Sequence, residues 1–280
     1  MTTEQTDADV LMIGCGDLGA RIGLRLADVG HRVLALRRRA DLVPAPLQAL
    51  SVDLTAETPS LPSLDLRYLV VALTARPRSE ESYRATYVEG LRRALDAVEA
   101  AGKRPERAVL VSSTGVYGEV PDGTLVDEDL EPTPADGPAR MLLESERLFA
   151  ERLPGGTVLR CSGLYDGAAP SRMVERVAAG EVDDVERWTN RIHRDDAAAA
   201  AVHLLTRDDP PADVYLGNDD EPALLGEVAA EIARRIGAPA PPAADPARAH
   251  GKRISNARLR ATGWEPQYPS HREGYASSTR

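Results

Sequence analysis

Cysteine is nearly absent from this sequence. Cys15 and Cys161 are the only two, too few for a disulfide framework and without metal-ligand spacing, so a reducing cytoplasm is the expected compartment. Aromatic residues are also scarce, at 4%, and the core must be built mainly from Val, Leu, Ile and Ala. No apolar run reaches the ~20 residues needed to span a bilayer, which argues against a membrane partner. The start from Met1 to Asp9 is polar and acidic and lacks the charged and apolar regions of a signal peptide. Positive charge is outweighed, with 34 basic against 44 acidic residues and a formal net charge of -10. Neutralising phosphates requires a basic face, so no nucleic-acid partner is expected. What remains is ordinary for a soluble globular protein: 280 residues, 42% hydrophobic and 28% charged, enough for one large α/β domain or a domain plus a small lobe.

Short apolar runs alternate with helical patterns in the first half. Val10-Leu11-Met12-Ile13 closes on glycine and reads as a buried strand. Leu18, Ile22 and Leu26 then recur at helical spacing until Gly30. Strands are expected at 32–36, weakly at 50–52, and at 69–73, 108–111 and 157–160. Val88, Leu91, Leu95 and Val98 line one face of a long helix stopping near Gly102, and another helix covers roughly 139–152. This alternation predicts a Rossmann-type, doubly wound parallel sheet with right-handed crossovers. The second half is less regular, with helices expected at 195–205 and 224–236, a strand at 213–216, and an Ala/Pro-rich loop at 238–246. Residues 1–165 are assigned to the sheet domain. Residues 166–280 form a smaller substrate-capping region interleaved with it.

Gly14, Gly16 and Gly19 form G-x-G-x-x-G between the first strand and the first helix. The first glycine allows a tight turn, the second lets backbone approach a pyrophosphate, and the third lets helix and strand pack closely. The helix N-terminus, with Asp17 and Leu18, then faces the anion with free N–H groups. A dinucleotide is the expected ligand, because the motif has the required strand-turn-helix context. Its identity is read at the end of the second strand. NAD binders place an acid there, whereas this chain has Arg37, Arg38 and Arg39. A guanidinium forks onto a 2′-phosphate that a carboxylate would repel, so NADP is expected, with NAD second. Asp53, just past the third strand, is a candidate for the adenine edge.

The stretch Val111-Ser112-Ser113-Thr114-Gly115-Val116-Tyr117-Gly118 resembles the extended short-chain dehydrogenase/reductase superfamily of NAD(P)-dependent epimerases, dehydratases and reductases. The resemblance extends through the glycine loop, Leu73-Thr74-Ala75, the run from Leu159 through Cys161 to Tyr165, the run Arg191 to Ala197, and Gly263-Trp264-Glu265-Pro266. More narrowly, Trp188 to Asp196 and Ser255 to Leu259 are similar to small bacterial epimerase/dehydratase-like proteins of an atypical branch. The resemblance implies cofactor contacts from Leu73, Thr74, Ala75, Ser112 and Cys161.

It also implies a Ser or Thr that holds the substrate oxygen, a Tyr that exchanges the proton, and a Lys four residues later on the nicotinamide ribose. Ser113 matches the first, with Thr114 beside it. The other two positions fall on Asp136 and Arg140, so the Tyr-Lys pair is missing. Arg140 keeps a fixed charge for the ribose but cannot readily relay protons. Asp136 would serve as a base only if desolvation raised its pKa, and it reads equally as a loop residue. Tyr117 reads as structural, Tyr83 and Tyr87 as packing residues that could face the cofactor, and Tyr165 as a pocket residue. His193, before a helix capped by Asp195, is a candidate acid or substrate contact. Arg191 and Arg194 could meet a substrate anion or pair with Asp195 and Asp196. The expected function is hydride exchange between NADP(H) and a small carbonyl or alcohol, by a monomer or homodimer. The alternative is a non-catalytic NADP(H)-binding sensor or interaction protein.

Overall fold

The computed structural model describes residues 6–166 and 171–276; the first five residues of the polar start lie outside them. Strand β1 (Val10–Ile13) leads through the glycine loop into α1 (Asp17–Asp28), followed by β2 (Val33–Arg37), β3 (Gln48–Ser51) and β4 (Tyr68–Val71). A composite helix comes next: α2 (Glu80–Tyr83), a π-helical stretch Arg84–Gly90, and α3 (Leu91–Ala100). After β5 (Arg107–Ser113) and the short β6 (Leu125–Val126) come α4 (Gly137–Arg152), β7 (Thr157–Cys161), β8 (Gly163–Tyr165) and α5 (Arg172–Ala178). Then follow β9 (Trp188–Thr189), β10 (Arg191–His193), α6 (Arg194–Thr206), β11 (Val214–Gly217) and β12 (Ala223–Leu224). The last elements are α7 (Leu225–Ile236), β13 (Arg253–Ile254), α8 (Ala257–Arg260) and α9 (His271–Ala276).

Seven strands form one parallel sheet in the order β11-β7-β5-β4-β1-β2-β3. Strands β1 and β4 are buried at every position, as a parallel sheet covered by helices on both faces requires. That is why both are continuous apolar runs. Edge strand β3 is largely exposed, and its sequence signal is correspondingly faint. Strand order reverses about β1, with β2 on one side and β4 on the other. The crevice at such a reversal is where open α/β sheets bind ligands, and the glycine loop leaves β1 there. Helix α1 buries Gly19, Ile22, Gly23 and Leu26, the i, i+3, i+4, i+7 stripe of a core-facing helix.

One expectation needs correcting. Val88, Leu91, Leu95 and Val98 are all buried, as their spacing predicts, but the helix is not regular. Its π-helical stretch ends at Gly90, where an added Cβ would lie 3.3 Å from the Ala85 carbonyl and 3.4 Å from Leu54. Widened turns of this kind recur at functional sites.

The chain divides into two compact units. The first comprises residues 1–118, 134–160 and 198–215, and the second 119–133, 161–197 and 216–280. Segment 198–215 lies with the first unit and segment 119–133 with the second. The first unit's core joins sheet residues such as Leu11, Leu36, Leu69 and Leu110 to Leu91, Leu95 and Phe149. The second unit has its own core, built on Tyr165, Val177, Val228, Ile232 and Tyr275. Among the described residues no helix is long and apolar enough to cross a membrane.

Candidate dinucleotide site

The glycine loop is shaped by close approach. Gly14 has φ +88, a left-handed conformation costly for other residues, and a Cβ on it would lie 2.7 Å from the Ala72 carbonyl oxygen. A Cβ on Gly19 would lie 2.5 Å from the Gly14 carbonyl oxygen, so α1 can pack this tightly on the loop only without a side chain. Gly16 differs: its Cβ would meet only Thr74 Oγ1, at 3.9 Å, leaving the backbone open to the adjoining cavity. Gly16 is also the N-cap of α1, and no side chain caps the helix. The first-turn amides and the helix dipole therefore suit an anion.

That cavity, about 720 Å³, is lined by Gly14, Cys15 and Gly16 from the loop, by Arg37, Arg38 and Arg39, and by Asp53. Leu73, Thr74 and Arg76 beyond β4, and Ser82, Ala85 and Thr86 from the composite helix, complete much of the wall. Of the residues expected at the cofactor, Gly14, Gly16, Arg37, Arg38, Asp53, Leu73 and Thr74 converge here. Asp17, Leu18 and Gly19 form the first turn of α1, and Ala75 is buried just past the wall. The arginines are not equivalent. Arg37 Nη1 donates to the Leu42 carbonyl at 2.8 Å and so holds the turn after β2. Arg38 Nη1 faces Asp53 Oδ2 at 3.9 Å, with 72% of its side chain exposed. Asp53 accepts from Thr55 Oγ1 at 2.7 Å and Thr55 N at 3.0 Å. The Thr55 hydroxyl, with Arg38 nearby, holds its carboxyl below the usual range. Burial raises the Cys15 thiol, which makes it a poor nucleophile. Volume, open backbone at Gly16 and concentrated positive charge all fit a dinucleotide.

Known proteins agree with this geometry. A solved structure from Methylobacillus flagellatus, described as an NAD-dependent epimerase/dehydratase, is 34% identical, with 97% of each chain covered and a TM-score of 0.80. The chain belongs to the NAD-dependent epimerase/dehydratase family. Its fold is the family's NAD(P)-binding Rossmann fold, within the extended short-chain dehydrogenase/reductase superfamily. The NAD complex of the UDP-glucose 4-epimerase from Thermus thermophilus shares that fold at 21% identity, covering 95% of this chain and 96% of the other, with a TM-score of 0.72. The dTDP-6-deoxy-L-talose 4-dehydrogenase (NAD(P)(+)) of Kitasatospora kifunensis is 27% identical over 181 residues. That match spans 61% of this chain but only 56% of the dehydrogenase. No protein-family model matches the chain.

At the family's catalytic positions the first unit offers less than the superfamily pattern. Ser113 ends β5, and its Oγ accepts from Gly115 N at 3.1 Å, fixing the short turn that contains Thr114 and Tyr117. Ser112 turns inward. Its hydroxyl donates to Glu146 at 2.5 Å, which leaves its backbone for any cofactor contact. Glu146 also receives Arg160 Nε at 3.1 Å and Nη2 at 2.7 Å, while Arg160 Nη1 donates to the Tyr117 hydroxyl at 2.8 Å. All four side chains are buried. Asp136 is the N-cap of α4, accepting from Ala139 N at 2.7 Å and pairing with Arg78 at 3.3 Å. Arg140 pairs with Glu80 at 3.1 Å and is half-exposed. The Tyr83 and Tyr87 rings meet at a tilt, with centroids 5.0 Å apart. The Tyr87 hydroxyl meets the Ala75 amide, and burial pushes its pKa up to about 12.

Tyr165, Arg191 and His193 belong to the second unit, where β8 and β10 pair in parallel and set Tyr165 beside His193. The His193 ring lies 3.9 Å from that of Tyr268 and 5.4 Å from that of Tyr165. His193 Nδ1 accepts from Asp195 N at 3.2 Å. Burial raises the Tyr165 pKa. Both arginines have protein partners. Arg191 donates to Thr189 Oγ1 at 2.5 Å, and Arg194 pairs with Asp166 at 2.8 Å. Asp195 lies in the first turn of α6, which begins at Arg194. Cys161, placed in the second unit, is buried, and burial pushes its thiol up to about 12.

The narrower motifs act as internal fasteners. Asn190 bonds the Lys252 carbonyl at 2.9 Å and Ile254 N at 2.7 Å, Asp196 accepts from Gln267 N and Tyr268 N, and Asn256 bonds the Asn218 carbonyl and Asp220. Two buried groups had no signal in the sequence. Burial pushes Asp219 up to about 8 and His271 down to about 4, both near Arg191.

Proposed function

We propose that the chain binds NADP(H) in the cavity beyond β1, with NAD(H) as the weaker ligand, and that it oxidises or reduces an alcohol or carbonyl carbon of a small molecule. The convergence of Arg37, Arg38 and Arg39 with the open Gly16 backbone in one cavity carries this reading. When bound, the cofactor supplies a hydride donor or acceptor at its nicotinamide ring. In this reading the uncapped N-terminus of α1 holds the pyrophosphate and Arg38 answers the 2′-phosphate. Arg37 holds the turn that presents Arg38. Ser113 orients the substrate oxygen, and Arg140, released from Glu80, reaches the nicotinamide ribose. With Asp136 engaged as a helix cap, the proton comes from water. Relatives named for nucleotide-sugar substrates make nucleotide sugars the first substrates to try.

The helix-cap role of Asp136 and the ion pair of Arg140 favour a second reading, a protein that binds the cofactor without turnover. One experiment separates the two. Calorimetry with NADPH, NADP, NADH and NAD is followed by single-turnover absorbance of NADPH over a panel of nucleotide sugars and simple carbonyls. The first reading expects tighter binding of the phosphorylated pair and oxidation of NADPH by at least one substrate. Binding without oxidation across the panel selects the second. Equal affinity for NAD and NADP refutes the cofactor assignment.

A further inference from the structure

Arg76 is an exposed residue on the lining of the dinucleotide cavity, and its guanidinium makes no hydrogen bond or ion pair with the described residues. Its neighbours in sequence are engaged: Arg78 pairs with Asp136 at 3.3 Å and Arg84 with Glu144 at 3.4 Å. Arg39 on the same cavity likewise makes no side-chain hydrogen bond or ion pair with the described residues, so position rather than lack of a partner sets Arg76 apart.

Its place in the sheet distinguishes it from the arginine run. Arg38 follows β2, and Asp53 follows β3. Arg76 follows β4, on the opposite side of β1 and its glycine loop. Neighbouring strands are about 4.8 Å apart, so the ends of β2 and β4 are separated by roughly 10 Å with the phosphate loop between them. Thr74 Oγ1, two residues before Arg76, lies on the rim of that loop, 3.9 Å from where a Gly16 Cβ would be.

We propose that Arg76 is a pyrophosphate-binding residue, closing on the phosphates from the β4 side while Arg38 meets a 2′-phosphate from the β2 side. The inference rests on the dinucleotide reading of this cavity. The pyrophosphate is common to NAD and NADP, so Arg76 contributes to affinity and not to the choice between them. Arg38 contributes to the choice.

The test is calorimetry on the full chain with four probes: NADP, NAD, ADP-ribose and adenosine 2′-monophosphate. Arg76→Ala should weaken NADP, NAD and ADP-ribose by a common factor of about ten, the lower range for a hydrogen bond to a charged group. It should leave adenosine 2′-monophosphate unchanged, and Arg76→Lys should recover part of the loss, since an ammonium retains the charge without the fork. Arg38→Ala should weaken NADP and adenosine 2′-monophosphate only. Because Arg76 has no protein partner, the melting temperature should not move. Unchanged binding of NAD and ADP-ribose by Arg76→Ala, or a loss confined to the 2′-phosphorylated probes, overturns the assignment. If Arg38→Ala weakens all four probes alike, the NADP reading falls while the Arg76 role stands. If the native chain binds no dinucleotide, both fall.

Discussion

The buried pair of Glu146 and Arg160 permits a stability prediction that can be worked through from geometry. Their side chains are 5% and 7% exposed, and the carboxylate takes three hydrogen-bonding nitrogens and hydroxyls: Arg160 Nε, Arg160 Nη2 and Ser112 Oγ. At charge-centre separations near 4 Å and an effective dielectric of 20, the attraction is about 4 kcal/mol. Replacing Glu146 by Ala removes it and leaves a guanidinium in the core bonded only to the Tyr117 hydroxyl. The expected loss is therefore about 3–5 kcal/mol, or roughly 6–20 °C in melting temperature for a cooperative unit of this size. Taking both charges away is a different perturbation. Glu146→Met with Arg160→Met fills the space with apolar atoms and leaves no orphaned ion, so it should cost far less than Glu146→Ala alone. Urea titrations followed by circular dichroism and tryptophan fluorescence, checked for coincidence, supply the free energies. A loss below about 1 kcal/mol for Glu146→Ala, or a double variant less stable than the single, would refute the argument that an unpaired buried charge dominates the cost.

Two further outcomes follow from single carboxylates. Asp219, raised to about 8, binds a proton in the folded chain at pH values where the unfolded carboxyl has lost it, so it makes stability fall as pH rises from about 4 to about 8. His271, lowered to about 4, works in the opposite sense between about 4 and 6.5, because there only the unfolded imidazole is charged. The two offset each other below pH 6.5. Between pH 6.5 and 8 the Asp219 contribution stands alone, at most about 1.4 kcal/mol per pH unit. Melting curves of the native chain and Asp219→Asn across that window should differ in slope, and parallel slopes would remove Asp219 as the cause. At Asp136, replacement by Ala should cost about 1 kcal/mol through the lost helix cap, with dinucleotide affinity unchanged by calorimetry. A variant that melts like the native chain but no longer turns over substrate would restore Asp136 as a catalytic base.

The legible parts of this fold are those whose physics is local. β1 and β4 are continuous apolar runs because a parallel sheet buries both faces, and the glycine loop is explicit because close approach tolerates no side chain at Gly14 and Gly19. The π-helical stretch was not legible, since Val88, Leu91, Leu95 and Val98 keep the same spacing through it. Nor was the crossing of residues 119–133 into the second unit, where β6 pairs with β13. Two-residue strands carry no periodicity, and their partners lie more than a hundred residues apart.

The same division runs through the candidate site. Position relative to a strand end could be read from the sequence, so Arg37, Arg38, Asp53 and Thr74 fall on one cavity. Partner choice could not. Arg37 and Arg38 look equivalent in a run of three, yet one holds a carbonyl and the other faces a carboxylate. Arg191 and Arg194 stand beside obvious acids, and nothing in the sequence pointed to their contacts with Thr189 and Asp166. Arg76 shows the usable signal within that limit. It is a cation two residues past Thr74, beyond the carboxyl end of a strand flanking the topological switch point, where ligand anions gather. Side chains with many possible protein partners are poor guides to a site. A charge that the fold places at the strand ends and leaves without a protein partner is a better one.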